Sequence, residues 1–164
     1  PMVDSTPVIE VSISEQRLQL REQDKITLDV AVSTAKNGAG EIYGSECTPR
    51  GEHMVRAKVG AGCAADTVFV SRRPTGAIYT PALRQLHPQR DWILTRILWL
   101  SGLEVGKNRR GNVDTLRRYV YIHGCPDEDT MGVPSSHGCV KMRNQDVIEL
   151  FDRVAVGTRV IIRE

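Results

Sequence analysis

No stretch of this chain approaches the ~18 consecutive apolar residues of a membrane-spanning helix, so the sequence excludes helical membrane insertion. It also lacks a surplus of charge. Twenty-two basic residues are set against 20 acidic ones, for a net charge of +2. The only dense basic runs are short: Arg72-Arg73, Lys107 with Arg109-Arg110, and Arg117-Arg118. They read as solvated loop and strand ends, which sets nucleic-acid binding aside. Low-complexity tracts, long linkers and repeats of solenoid length are absent too, so residues 1–164 read as a single domain. A chain of this size buries roughly 70% of its unfolded surface, and it needs no disulfide to fold. Near the N-terminus, Val3-Asp4-Ser5-Thr6-Pro7 offers neither a basic n-region nor an apolar h-region. Pro1 ahead of Met2 reads as a residue left by cloning before a native initiator. The expected compartment is therefore the cytoplasm, where four cysteines are thiols, ligands or catalysts rather than structural bridges.

What is present is an alternation of apolar residues. Ile9, Val11 and Ile13, then Leu18 and Leu20, then Ile26, Leu28, Val30 and Val32 predict a β-meander from Val8 to Val32. Thr34 to Gly51 is glycine-rich loop, followed by a short strand from His53 to Lys58 and a further loop from Gly60 to Ala65. Trp92 to Leu100 suits a strand buried on both faces. Arg118 to His123 predicts another, with Tyr119, Tyr121 and His123 on one side. Asn144 offers an N-cap to a helix carrying Val147, Ile148, Leu150, Phe151 and Val154 on its apolar face, and Arg159 to Ile162 is a last strand. The expected fold is mostly β with one helix packed on it, an α+β domain.

Chemistry concentrates in one repeated tripeptide. His-Gly-Cys occurs as His123-Gly124-Cys125 and as His137-Gly138-Cys139, the second after Ser135 and Ser136. Three readings compete: a thiol nucleophile with an imidazole base, a zinc site of two histidines and two cysteines, and a redox pair of Cys125 with Cys139. A free thiol is only a few per cent ionised near neutral pH and needs a base. For Cys139, His123 is better placed than His137, which would have to fold back across a tight glycine turn. Backbone N–H groups around Gly138 and Cys139 could stabilise an oxyanion. The zinc reading suffers from spacing, because structural pairs usually leave two or more residues between ligands. Cys47, Cys63, His53 and His87 lack this setting and are assigned no chemistry.

Tyr121-Ile122-His123-Gly124, then eleven residues to Ser136-His137-Gly138-Cys139-Val140-Lys141-Met142, then a helix ending in Val156-Gly157-Thr158-Arg159-Val160, resembles the L,D-transpeptidase (YkuD) catalytic domain of bacterial cell-wall enzymes. With the Thr48-to-Gly51 turn included, the likeness spans nearly the whole chain. It implies a β-sandwich and cysteine acyl transfer on peptidoglycan stem peptides, without a metal or other cofactor. Cys139 matches the nucleophile and His123 the base, with the Gly124 carbonyl orienting the ring and Ser136, His137 and Gly138 shaping the oxyanion loop. The bond attacked would be that between meso-diaminopimelate and the terminal D-alanine of a tetrapeptide. Water as acceptor makes an L,D-carboxypeptidase trimming soluble muropeptides; an amine acceptor makes a transpeptidase that cross-links stem peptides or exchanges D-amino acids. Carbapenem acylation of the cysteine is also implied. Lys141 stands where many members carry arginine, and Cys125 where threonine or serine is common; Cys125 is a small-residue replacement or a resolving thiol. Lys141 and Arg143 are candidate carboxylate partners, and Tyr121 and Trp99 candidate walls.

Overall fold

The computed structural model describes residues 6–164, so the reading of Pro1 and Met2 lies outside the described residues. The expected meander forms as β1 (Val8–Ser12), β2 (Arg17–Glu22) and β3 (Lys25–Ser33). There follow β4 (Gly51–Val59), β5 (Thr67–Val70), β6 (Arg73–Ile78), α1 (Pro81–Leu86), β7 (Ile93–Gly102), β8 (Tyr121–Gly124), β9 (Val140–Met142), α2 (Asn144–Arg153) and β10 (Arg159–Arg163).

The expected sandwich is corrected to one closed, barrel-like sheet. Strand order runs β4-β10-β1-β2-β3-β9-β8-β7, and β7 pairs with β4 to complete the ring, while the β5–β6 hairpin hangs from β7. Closure follows from β4, which offers one edge to β10 and the other to β7, so the eight-strand ring has no free edge. Alternation in sequence is the same for a sandwich and a barrel, since each shows one face of every strand to a core. That core holds Ile9, Val11, Leu18, Leu20, Val32, Leu98, Leu100, Ile122 and Met142, joined by Val147, Leu150 and Phe151 of α2.

β7 is buried on both faces as expected, with every residue from Leu94 to Leu98 at most 7% exposed. Two boundaries differ from the sequence reading. β8 starts only at Tyr121, because Tyr119 turns through a left-handed φ of 56°. The N-cap of α2 is Arg143, with no side-chain cap, because the carboxamide of Asn144 is engaged by Thr95, Asp66 and Asp127 instead. α1 is a second helix that the apolar pattern did not announce; it is capped by Thr80, whose side chain accepts Leu83 N–H, and it buries no residue.

Candidate active site

β8 and β9 are parallel neighbours, with His123 opposite Lys141, and this brings both His-Gly-Cys tripeptides to one end of the barrel. His123 and Cys139 line a single cavity of about 510 Å³. Tyr119, Tyr121, Ser136, His137 and Lys141 line it as well. Tyr119, Tyr121 and His123 thus share it, as the sequence predicted, although the first is reached through a turn.

His123 is 4% exposed, and its Nδ1 lies 2.6 Å from the carbonyl of Gly124. That contact makes Nδ1 the protonated nitrogen of the neutral ring and leaves Nε2 as the basic one. Burial lowers the pKa of His123 to about 4, against a smaller raising effect of the Gly124 carbonyl. Cys139 Sγ sits 3.3 Å from the Tyr121 N–H and 3.5 Å from the Tyr119 carbonyl, and burial pushes the thiol up to about 11. At rest the pair is a neutral thiol and a neutral imidazole.

The Ser136 to Cys139 turn is held from inside. Ser136 Oγ donates to the Cys139 carbonyl at 2.6 Å and accepts the Gly138 N–H at 3.2 Å. Gly138 has a φ of 130°, and a side chain there would press on the Cys47 carbonyl at 3.2 Å. Thr48 Oγ1 donates to the Gly138 carbonyl at 3.0 Å while accepting Ala35 N–H at 2.9 Å, so the Thr48-to-Gly51 turn braces this loop. Ser136 Oγ thus takes the Gly138 N–H, one of the two expected oxyanion donors. Replacing Ser136 by alanine strands both buried partners of its hydroxyl; we expect a loss of about 1–3 kcal/mol in denaturant unfolding, and a larger relative loss of acyl transfer.

The tetrahedral zinc site is not formed. His123 faces its own Gly124 carbonyl, His137 Nδ1 pairs with Asp91 at 2.8 Å, and Cys125 Sγ donates to the Met142 carbonyl at 3.4 Å. Among the described residues no group of three or more His, Cys, Asp or Glu side chains could hold a metal. Cys125 is 2% exposed, burial pushes it up to about 12, and it does not line the cavity. This is the environment of a packed thiol rather than a resolving one.

Two of the four candidate substrate residues are elsewhere. Trp99 stands behind the wall, its indole N–H bonded to the Leu116 carbonyl at 3.2 Å and its ring packed on Tyr119 and Tyr121. Arg143 is exposed at the start of α2 and is not among the cavity residues. Lys141 does line the cavity, but it pairs with Asp129 at 3.4 Å, which Arg84 also holds at 2.8 Å. Arginines the sequence reading passed over take up the electrostatic part: Arg72, Arg90 and Arg118 line the cavity, and none has a carboxylate partner among the described residues. Arg118 is not a solvated strand end. Its guanidinium reaches inward to the Cys47 carbonyl at 2.6 Å, and burial lowers its pKa, leaving a desolvated cation near the thiol. Arg72 lies 4.8 Å from the ring centroids of both Trp99 and Tyr119 and donates to the Tyr121 hydroxyl at 3.0 Å.

A family model described as the YkuD L,D-transpeptidase catalytic domain matches residues 6–162. The chain belongs to that family. Among curated relatives, the putative L,D-transpeptidase YqjB of Bacillus subtilis is 44% identical over 43 residues, which are 26% of this chain and 24% of that protein. The chain therefore matches about a quarter of the length of that relative. Among solved structures, an L,D-transpeptidase from Mycobacterium smegmatis superposes with a TM-score of 0.58 at 17% identity, covering 97% of this chain and 59% of that one. The L,D-transpeptidase LdtMt1, solved in complex with imipenem, gives a TM-score of 0.58 at 18% identity over 96% of this chain and 59% of its own. Those likenesses carry the L,D-transpeptidase fold; the chemistry rests on the cavity.

Proposed function

We propose that this L,D-transpeptidase-family protein is a cysteine acyl-transfer enzyme of peptidoglycan stem peptides. It cleaves the bond between meso-diaminopimelate and the terminal D-alanine of a tetrapeptide, with water as the acceptor. The observation that carries the reading is the shared cavity of Cys139 and a His123 whose Nδ1 is engaged by the Gly124 carbonyl. In the forward step His123 Nε2 takes the thiol proton as Sγ attacks the carbonyl carbon, and the Cys139 N–H receives the developing oxyanion. The same proton passes to the departing amine, which leaves as D-alanine while a thioester remains on Cys139. Water, deprotonated by His123, then attacks the thioester, the C–S bond breaks, and the thiol recovers its proton as the tripeptide is released.

Stem peptides carry several carboxylates, which suits a cavity with three uncompensated arginines. We expect Arg118→Gln to raise KM for a tetrapeptide by about tenfold to a hundredfold, the scale of one lost charge-assisted hydrogen bond, with a smaller effect on kcat. A soluble muropeptide is the substrate form that belongs with this reading, and a cytoplasmic location goes with it.

The names of the relatives favour a second reading, in which an amine replaces water. Mass spectrometry of a tetrapeptide incubated with wild type and with Cys139→Ala, in the presence of a second stem peptide, separates the two. Loss of one D-alanine by wild type alone supports the carboxypeptidase. A cross-linked mass identifies a transpeptidase, and no product from wild type overturns both.

A further inference from the structure

Thr95 has a backbone φ of 77°, a left-handed conformation that a β-branched residue adopts only when its surroundings impose it. It is fully buried near the start of β7, at the bulge that shifts the register between Leu94 and Ile97. The residues facing that bulge on β8 are Gly124 and His123. The Thr95 hydroxyl donates to Asn144 Oδ1 at 2.6 Å and accepts the Asp66 N–H at 3.0 Å. Asn144 Nδ2 in turn donates to Asp66 Oδ1 at 2.9 Å, which closes a ring of three residues, and to Asp127 Oδ1 at 3.3 Å. Arg96 fixes the bulge from the other side by donating to the Thr95 carbonyl at 2.6 Å.

This ring presses directly on Gly124. A Cβ at that position would overlap Asn144 Oδ1, and it would lie 2.7 Å from the Leu94 carbonyl oxygen and 3.1 Å from Thr95 Cβ. Gly124 is therefore glycine for want of room, and the direction of its peptide is set by what it leans against. Its carbonyl is the group that holds His123 Nδ1 at 2.6 Å. Asp127 lies just beyond Cys125 and Pro126, so the Asn144 carboxamide also grips the chain where it leaves the base.

We propose that Asn144 and Thr95 are positioning residues for the imidazole base: their hydrogen-bonded ring sets the Gly124 peptide, and that peptide fixes the tautomer and direction of His123. Neither residue touches substrate. The inference rests on His123 being the base of the proposed reaction, and it deepens that reading by naming what holds the ring in place. Loss of the ring lets the Gly124 carbonyl swing and His123 wander by a fraction of an ångström to an ångström, a displacement that costs catalysis rather than binding.

The test reads the His123 ring directly. In wild type, proton NMR should show a downfield, slowly exchanging ring N–H, assigned to His123 by its absence in His123→Gln. Thr95→Ser, which keeps the hydroxyl, should retain that resonance. Asn144→Ala and the isosteric Thr95→Val should lose or broaden it, with kcat for tetrapeptide cleavage down about tenfold to a hundredfold and KM unchanged. If Asn144→Ala does not fold, Thr95→Val decides. A resonance that persists in the folded variants with unaltered kcat overturns the proposal. Because the NMR signal needs no substrate, a wild type that shows it yet cleaves nothing overturns the functional reading instead and leaves the positioning role standing.

Discussion

Cys139→Ala should abolish tetrapeptide cleavage, while His123→Gln should lower its rate by a factor of about 10²–10⁴, the usual scale of general acid–base catalysis. The more discriminating result is the pH dependence. With the thiol pushed up to about 11 and the ring lowered to about 4, the resting pair is neutral on both sides from mildly acidic to mildly alkaline solution. A neutral thiol passing its proton to a neutral ring during attack should give a kcat/KM that is flat between about pH 5 and about pH 9, falling only where His123 protonates or the thiol ionises. Alkylation of Cys139 by iodoacetamide uses the thiolate alone, so its rate should rise about tenfold per pH unit over the same interval. Peptide mapping separates Cys139 from the other three cysteines. An alkylation rate that is already maximal near about pH 7 would mean a preformed thiolate–imidazolium pair and would overturn the neutral-pair description. His123→Gln should leave alkylation at about pH 9 within a few-fold of wild type, because at that pH solvent can remove the proton that the ring otherwise accepts.

The nucleophile and base candidates were legible because glycine, histidine and cysteine together in turn-rich sequence have few packing uses, and the doubled tripeptide marked both ends of the site. Strand positions were legible for a different reason: alternation such as Ile9, Val11, Ile13 is imposed by one buried face, whatever the strand pairs with. Pairing itself was not. β4 closes the barrel by hydrogen bonds to β10 and β7, partners about a hundred and about fifty residues away, and no local signal distinguishes that closure from two stacked sheets. α1 was missed because a six-residue helix with no buried residue has no apolar stripe to display. Asn144 followed an N-cap pattern and proved to be a tertiary residue, since its carboxamide finds Thr95 and Asp66, both distant in sequence. Arg118 shows the same limit from the electrostatic side. A basic pair reads as solvated unless the fold is known, and here one of the two guanidiniums turns under the loop of Cys47. Cavity charge is thus decided by which arginines the carboxylates leave unpaired, a property of the assembled barrel.

Stability should fall steeply in mild acid, for a reason tied to the same burial. His53 is fully buried, with Nδ1 3.0 Å from the Gly51 carbonyl and Nε2 3.0 Å from Thr115 Oγ1, and burial lowers its pKa from 6.5 to about 4, as it does for His123. In the unfolded chain both rings bind a proton below about pH 6.5, whereas in the folded protein they stay neutral down to about 4. The unfolded state therefore binds more protons across that window, and the stability present above it is lost as pH falls through it. A displacement of about 2.5 units corresponds to roughly 3 kcal/mol for each ring, a large part of the 5–15 kcal/mol typical of a domain. The depressed carboxylates, Asp29, Glu41, Asp114 and Glu128, add to the loss only at lower pH, where unfolded carboxylates begin to protonate. Cys125 and Cys139 act at the opposite end. Their raised values stabilise the fold below the ordinary thiol pKa of 9.0, and that contribution is lost as pH rises toward 11 and 12. In urea unfolding, the midpoint should drop between about pH 6.5 and about pH 4.5 with a slope approaching two protons, and His53→Gln should reduce the slope to about one. Equal midpoints at the two pH values would contradict neutral burial of these rings. A slope of two protons in His53→Gln would move the effect to groups other than His53, and a single proton there would leave His123 as the residual titrating ring, an independent measure of how completely the barrel shields its base.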